Sequence, residues 1–249
     1  MKITFFGTAD GVPRKGHFCT ATMVEVGDRV YLIDAGAPVA ELMLNHDKHP
    51  DRIKAVFNTH AHSDHIVGLL PLISLCGWAF REARFRIYVP EKRVADAFAA
   101  FREALGVIPR SATDERVSFQ VYEACEPDVI YDDGDLKVTA YPTRHCWPHP
   151  SYAFLLEAEG KRVFFSGDLA YGLGDYPTVV NEIETDLFVC EMAHFTDEEI
   201  APRLDACKTK KLIFHHYQAN KPEQIQALAT SGRFPFPILR ASDGDRVEI

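Results

Sequence analysis

Four side chains able to bind a metal or carry a proton stand within six positions: His60, His62, Asp64 and His65, in the stretch FNTHAHSDHIVGLLPLI that begins at Phe57. Imidazole and carboxylate are suitable ligands for zinc, manganese or iron. A lone histidine is more often a loop or satisfied core residue. Four ligand-capable residues directly after the apolar run IKAVFN are different, because a loop there lets side chains converge without helix or strand geometry dictating their directions. Further candidates are few and share one kind of place. His145 follows VTAYPTR, Asp168 follows VFFSG, and His215 and His216 follow LIF, each where a predicted strand gives way to a loop. Architectures of α and β elements usually assemble their chemistry at such positions.

The elements that must hold these residues alternate along the chain. Strands are predicted at 2–7, 21–26, 29–34 and 53–58, then at 85–89, 117–122, 135–142, 152–158, 161–166, 186–190, 211–216 and 245–249. A buried helix is predicted from Ile66 to Leu75. Another is predicted over 91–105, where Val94, Ala97, Phe98, Phe101 and Leu105 recur at helical spacing. Further helices are expected near 177–183, 196–207 and 221–231, with Thr196 ahead of Asp197, Glu198 and Glu199 as an N-terminal cap. Strands in both halves with helices interspersed predict two packed sheets covered by helices.

The bulk properties narrow the function classes. The 249 residues, 47% hydrophobic and 25% charged, suffice for a single α/β domain over 1–249 with a sizeable core. A net charge of −9 disfavours a nucleic acid polymer as partner, since such binding rests on phosphate neutralisation. The longest apolar run, IVGLLPLISLCGWAF, is too short to span a bilayer and is broken by Pro71, so no membrane partner is expected. The N-terminal MKITFFGTADG shows no export signal, and six cysteines without a CxxC pair fit reduced thiols. The expected location is therefore the cytoplasm. The apolar stretch Leu69 to Phe80, with Trp78, is a candidate homodimer face or simply core.

HxHxDH, followed in order by a strand-end histidine, an SGD aspartate and a late histidine, resembles the metallo-β-lactamase superfamily of binuclear hydrolases. FFGTADGVP from Phe5 and LIDAG from Leu32 are similar to its ribonuclease Z and cyclic-nucleotide phosphodiesterase branch. The resemblance covers nearly the whole chain. It implies an α/β fold of the αββα sandwich type, with two mixed β-sheets flanked by helices and metals at one edge. It also implies two divalent metal ions, zinc first, with manganese or iron as alternatives. His60, His62 and His145 would bind the first ion, Asp64, His65 and His216 the second, and Asp168 would bridge them. His216 is preferred to His215 by the family's strand-end pattern, and His145 to His149 because it directly follows its strand. His62 stands where flavodiiron oxygen reductases of this fold carry glutamate, which argues against redox iron chemistry. Asp34 is expected to accept a hydrogen bond from a ligand imidazole. Cys146 is expected to pack.

Such a site implies a hydrolase whose nucleophile is a metal-bridging hydroxide. The similar branch favours a phosphodiesterase, with Arg14, Lys15, His17 and His149 as candidate substrate contacts. Asp64 and His194 are the expected catalytic side chains, His194 as general acid towards the leaving alkoxide. Ribonuclease Z carries a His-Glu-Ala-Thr motif; this chain has CEMAH from Cys190 to His194, keeping Glu191 and displacing the histidine. The long substrate arm of ribonuclease Z is replaced by the short stretch 169–189. A small phosphodiester, such as a cyclic nucleotide or cyclic sugar phosphate, is therefore favoured over pre-tRNA and a tRNA 3′-processing role. The alternative from another class is a lactonase or thioester hydrolase on the same metals. A non-catalytic metal-binding module is disfavoured, because each expected ligand is present and buried unpaired ligands destabilise a fold.

Overall fold

The structure, a computed structural model, describes residues 1–105 and 115–249. Its first half runs β1 (Lys2–Gly7), β2 (Ala21–Val26), β3 (Arg29–Ala35), α1 (Val39–Asn45), β4 (Ile53–Phe57), α2 (Ser63–Ile66), α3 (Leu69–Trp78), β5 (Phe85–Val89), α4 (Lys92–Leu105) and β6 (Val117–Val121). The second half runs β7 (Asp128–Asp132), β8 (Lys137–Thr143), β9 (Ser151–Ala158), β10 (Lys161–Phe165), β11 (Leu187–Met192), α5 (Asp197–Leu204), β12 (Leu212–Tyr217), α6 (Pro222–Thr230), β13 (Ile238–Arg240) and β14 (Arg246–Glu248).

These strands form two seven-stranded sheets, in the orders β14-β1-β2-β3-β4-β5-β6 and β13-β12-β11-β10-β9-β8-β7. Each sheet is mixed. Antiparallel pairing from β14 to β3 turns parallel from β3 to β6, and antiparallel pairing from β7 to β10 turns parallel from β10 to β13.

Strand side chains alternate between faces, and in β1, β2, β3, β9, β11 and β12 both faces are buried almost throughout, so these strands read as continuous apolar runs. Phe5, Val24, Ile33 and Phe57 meet Phe154, Leu156, Val163, Phe165 and Ile213 in the core between the sheets. Their neighbours Phe6, Met23, Leu32 and Val56 point the other way, into a layer built with Val39, Met43, Leu69, Leu72 and Val94 from the helices. Phe164, Phe188 and Phe214 do the same on the second sheet, against Ile200, Leu204, Ile225 and Leu228. The result is the expected αββα sandwich of two mixed sheets flanked by helices. Among the described residues no helix is long and apolar enough to cross a membrane.

Four local expectations need correction. Sequence reading misses β7 and β13: both are short edge strands with little burial, β13 directly following Pro235 and Pro237, so neither shows an apolar run. The helix expected near 177–183 is only a 3₁₀ turn, Thr178–Asn181, opening after Pro177. The helix expected from Ile66 is two pieces, α2 and α3, separated around Gly68. The predicted cap at Thr196 is present as a reciprocal capping box with Glu199.

Candidate metal centre

The histidine cluster leaves β4 at the edge where the strand ends of both sheets meet. Its position depends on close backbone contacts. A Cβ on Gly68 would meet the carbonyls of Ala35 and Gly36, and one on Gly36 would meet the carbonyl of Asp64. Glycine at these two places lets the loop after β3 press directly against the loop after β4. Asp34, at the end of β3, is held at φ 58°, a left-handed conformation uncommon for a residue with a Cβ.

Asp168, at the end of β10 and almost fully buried, is the hub. Its carboxylate lies 3.8 Å from His60 Nε2, 3.5 Å from His65 Nε2, 3.6 Å from His145 Nε2 and 3.1 Å from His216 Nε2. Asp64 Oδ2 lies 3.4 Å from His65 Nε2, and His62 Nδ1 lies 3.2 Å from His145 Nε2. Ligand-capable atoms within 4.8 Å of one another form overlapping sets: His60, His62, His145 and Cys146; His60, His65 and Asp168; Asp64, His65 and His216; and His145, Asp168 and His194. All seven residues expected to be ligands are thus brought together.

His60 Nε2 and His65 Nε2 are fully enclosed and have no hydrogen-bond partner. A buried polar atom left unpaired is costly. Two such nitrogens aimed at one carboxylate fit a centre that binds cations.

The outer nitrogens are tied down. His60 Nδ1 donates to Thr59 Oγ1 at 2.9 Å, and the Thr59 hydroxyl in turn donates to Asp34 at 3.0 Å. His65 Nδ1 donates to Asp34 Oδ2 at 2.8 Å, the contact expected of Asp34. His216 Nδ1 pairs with Thr20 Oγ1 at 2.5 Å, and His145 Nδ1 donates to the Leu169 carbonyl at 3.2 Å. Thr20, Thr59 and the Leu169 carbonyl escaped sequence reading. Thr59 adjoins a cluster histidine and could have been found; Thr20 carries no sequence signal, since strand pairing alone brings it near His216.

The electrostatics follow from burial and charge. Burial, then the neighbouring His65, push His60 well below the usual histidine range. Burial opposes protonation of His65 too, but the Asp168 and Asp34 carboxylates carry it well above that range. Burial also disfavours ionised Asp64, yet the neighbouring His65, 3.4 Å away, and the charge of His216 hold its pKa at about 2. Asp168 likewise stays well below the carboxylate range despite enclosure, because His216 and His65 stand beside it. The carboxylates are thus held as anions in a pocket of imidazoles.

β12 separates His215 from His216. A register shift opposite Glu191 and Met192, with φ 47° at His216, forms a bulge. His215 faces Phe5, 5.9 Å between ring centres, with its Nδ1 unpartnered. His216 is turned to the edge, onto Asp168.

His194 sits beside the cluster, half-buried, with Nδ1 4.0 Å from Asp168 Oδ2 and its ring 4.5 Å from that of His145. Its Nδ1 donates to Glu191 Oε1 at 2.8 Å. Burial opposes its protonation, but the Glu191 hydrogen bond and charge raise its pKa overall. Cys190, in contrast, points into the outer core of the second sheet. The other candidates are engaged elsewhere. Arg14 binds Asp10 at 3.0 Å and the Tyr217 carbonyl at 3.2 Å. Arg14 and His17 close a tight turn with the exposed Lys15 at its tip, and His17 lies 3.4 Å from Thr8 Oγ1. His149 lies 3.4 Å from Arg93 and 4.0 Å from Glu91, outside the ligand-capable sets.

Known proteins resemble this chain in sequence and in fold. A ribonuclease Z of Methanocaldococcus jannaschii is 30% identical over 156 residues, covering 62% of this chain and 47% of its own. The chain thus spans about half the length of the curated relatives it matches. Human tRNase Z, short form, superposes with a TM-score of 0.79 at 19% identity, covering 100% of this chain and 99% of that one. The metallo-β-lactamase fold protein YhfI from Bacillus subtilis gives 0.77 at 18% identity, covering 99% of each. The fold is that of the metallo-β-lactamase superfamily, near its ribonuclease Z branch. A family model described as Anti-Pycsar protein Apyc1 matches residues 1–235, and the chain belongs to that family.

Proposed function

We propose that the chain is a binuclear metal-dependent hydrolase acting as a phosphodiesterase on a small phosphodiester. The observation that carries this reading is the enclosed Asp168 carboxylate ringed by four imidazole nitrogens, two of them unpartnered. On this reading His60, His62 and His145 hold one divalent ion, Asp64, His65 and His216 the other, and Asp168 bridges. Zinc suits the donor set, with manganese or iron as alternatives. Ions bound there supply positive charge against the anionic substrate and bring the pKa of water towards neutrality.

The chain's own residues do the rest. Thr59, Asp34, Thr20 and the Leu169 carbonyl orient the imidazoles of His60, His65, His216 and His145, which keeps their Nε2 atoms aimed at Asp168. Glu191 fixes His194 with its proton on Nδ1. Protonated on Nε2 as well, His194 can deliver that proton to the departing alkoxide. Tyr171, 79% exposed and edge-on to His194 at 5.1 Å, stands at the rim, where a substrate ring could lie against it.

A small substrate is supported by the stretch after Asp168. It does not project as an arm: Leu173, Tyr176 and Val180 are buried in the outer core of the second sheet. With a net charge of −9 this favours a cyclic nucleotide or cyclic sugar phosphate over pre-tRNA.

The test is turnover of bis(p-nitrophenyl) phosphate by zinc- or manganese-loaded protein, with Asp168→Ala as the blank. Metal-dependent turnover absent from the variant is expected. Protein that binds two metals and turns over lactones or thioesters but not this ester would move the assignment to acyl hydrolysis.

A further inference from the structure

We propose that Cys146 is the positioning residue for His62, its sulfur accepting the Nε2–H of that imidazole and so aiming Nδ1 inward. The inference rests on the metal-site reading above. The other four imidazoles of the centre share one pattern, with Nδ1 tied to the protein and Nε2 turned towards Asp168. His62 reverses it. His145 Nδ1 is taken by the Leu169 carbonyl, so His145 Nε2 is its inward atom, and the His62 atom 3.2 Å from it is Nδ1. His62 Nε2 is therefore the outward nitrogen, and Cys146 Sγ lies 3.7 Å from it, within reach of a hydrogen bond to sulfur.

His62 is also exposed where the rings of His60, His65 and His216 are enclosed, so core packing does not fix its rotation. A contact to its outer edge does. Cys146 is well placed for this, because it directly follows His145 and its backbone N–H is directed to Ser151 Oγ at 3.4 Å. Sulfur is a weaker acceptor than the Asp34 carboxylate that holds His65. His65 is therefore oriented by a buried carboxylate and His62 by a thiol.

The competing role is direct ligation, since Cys146 Sγ falls within 4.8 Å of ligand atoms of His60, His62 and His145. The geometry favours positioning, because Sγ sits by the outward nitrogen of His62 and not the inward one.

Cobalt(II) titration of metal-free protein, followed by absorbance and calorimetry, separates the roles in the native chain, Cys146→Ala and Cys146→Ser. Two binding events and no intense near-ultraviolet sulfur-to-cobalt band are expected for the native protein. Cys146→Ala should weaken one event about tenfold, the lower end of the range for such outer partners, and leave the other unchanged. Cys146→Ser should restore it, because its hydroxyl accepts the same N–H. Equal affinities in all three proteins would overturn the proposal. So would a charge-transfer band lost in Cys146→Ala, which would make the sulfur a ligand. A native protein that takes up no cobalt would overturn the metal centre itself, a result distinct from either.

Discussion

The Glu191 carboxylate is fully enclosed yet needs no cation, because the backbone N–H groups of Leu169, Ala193 and His194 and the Nδ1–H of His194 all donate to it. The carboxylate so held fixes the His194 ring in one orientation and one tautomer, with Nε2 as the atom left to exchange a proton. If His194 is the general acid, its removal should matter in proportion to the basicity of the leaving group. His194→Ala is expected to retain both metals and to slow a phosphodiester with an alkyl alcohol leaving group by roughly 10²–10⁴. Hydrolysis of the p-nitrophenyl ester should slow far less, since p-nitrophenolate departs without protonation. Equal slowing of the two esters, read from kcat, would remove His194 from that role.

Strand β12 and the glycine contacts show how elements decide which residues take part. Strict alternation along β12 would put His215 towards the inner core and His216 towards the outer one. The bulge removes His216 from either face and delivers it to the edge. The loop after β4 has a comparable constraint, since α3 can begin where it does only because Gly68 has no side chain. Gly68→Ala would place a methyl group against two rigid backbone carbonyls. We expect about 1–3 kcal/mol of lost stability in denaturant unfolding, together with weakened metal uptake, because α2 carries Asp64 and His65. An unchanged unfolding midpoint with full metal content would show that the contact yields more easily than the backbone geometry implies.

Across the whole molecule, the centre draws its candidate ligands from β4, α2, β8, β10 and β12 or the loops after them, and so brings both sheets together at one edge. Ions that bind the assembled site in preference to the unfolded chain would add to its stability by mass action. Free metal at a hundredfold excess over Kd contributes about 2.7 kcal/mol for one site. In a chain of this length that corresponds to a Tm change on the order of 5–10 °C. Chelation should therefore lower the Tm of metal-loaded native protein by this order and leave Asp168→Ala nearly unaffected. The same fall in both proteins would show that the chelator acts away from the centre.

The local part of this design was legible in the chain. His60, His62, Asp64 and His65 are close in space because they are close in sequence, and Thr196 caps its helix through contacts three residues long. Strands in both halves with helices interspersed pointed to two packed sheets under helices, and the motif order suggested where His145, Asp168 and His216 would converge. What the chain does not spell out are contacts set by register between distant segments. Thr20 reaches His216, Glu191 reaches the backbone of Leu169, and Cys146 reaches His62 only after the loops have been placed by strand pairing and by the close approach at Gly36 and Gly68. The bulge at His216 is of the same kind: it exists only in relation to β11, and residue types along β12 do not encode it. Sequence by itself determined which side chains could bind a metal, because that is a property of the residues. Tertiary structure decided how each is aimed, because orientation depends on hydrogen-bond partners that come from elsewhere in the fold.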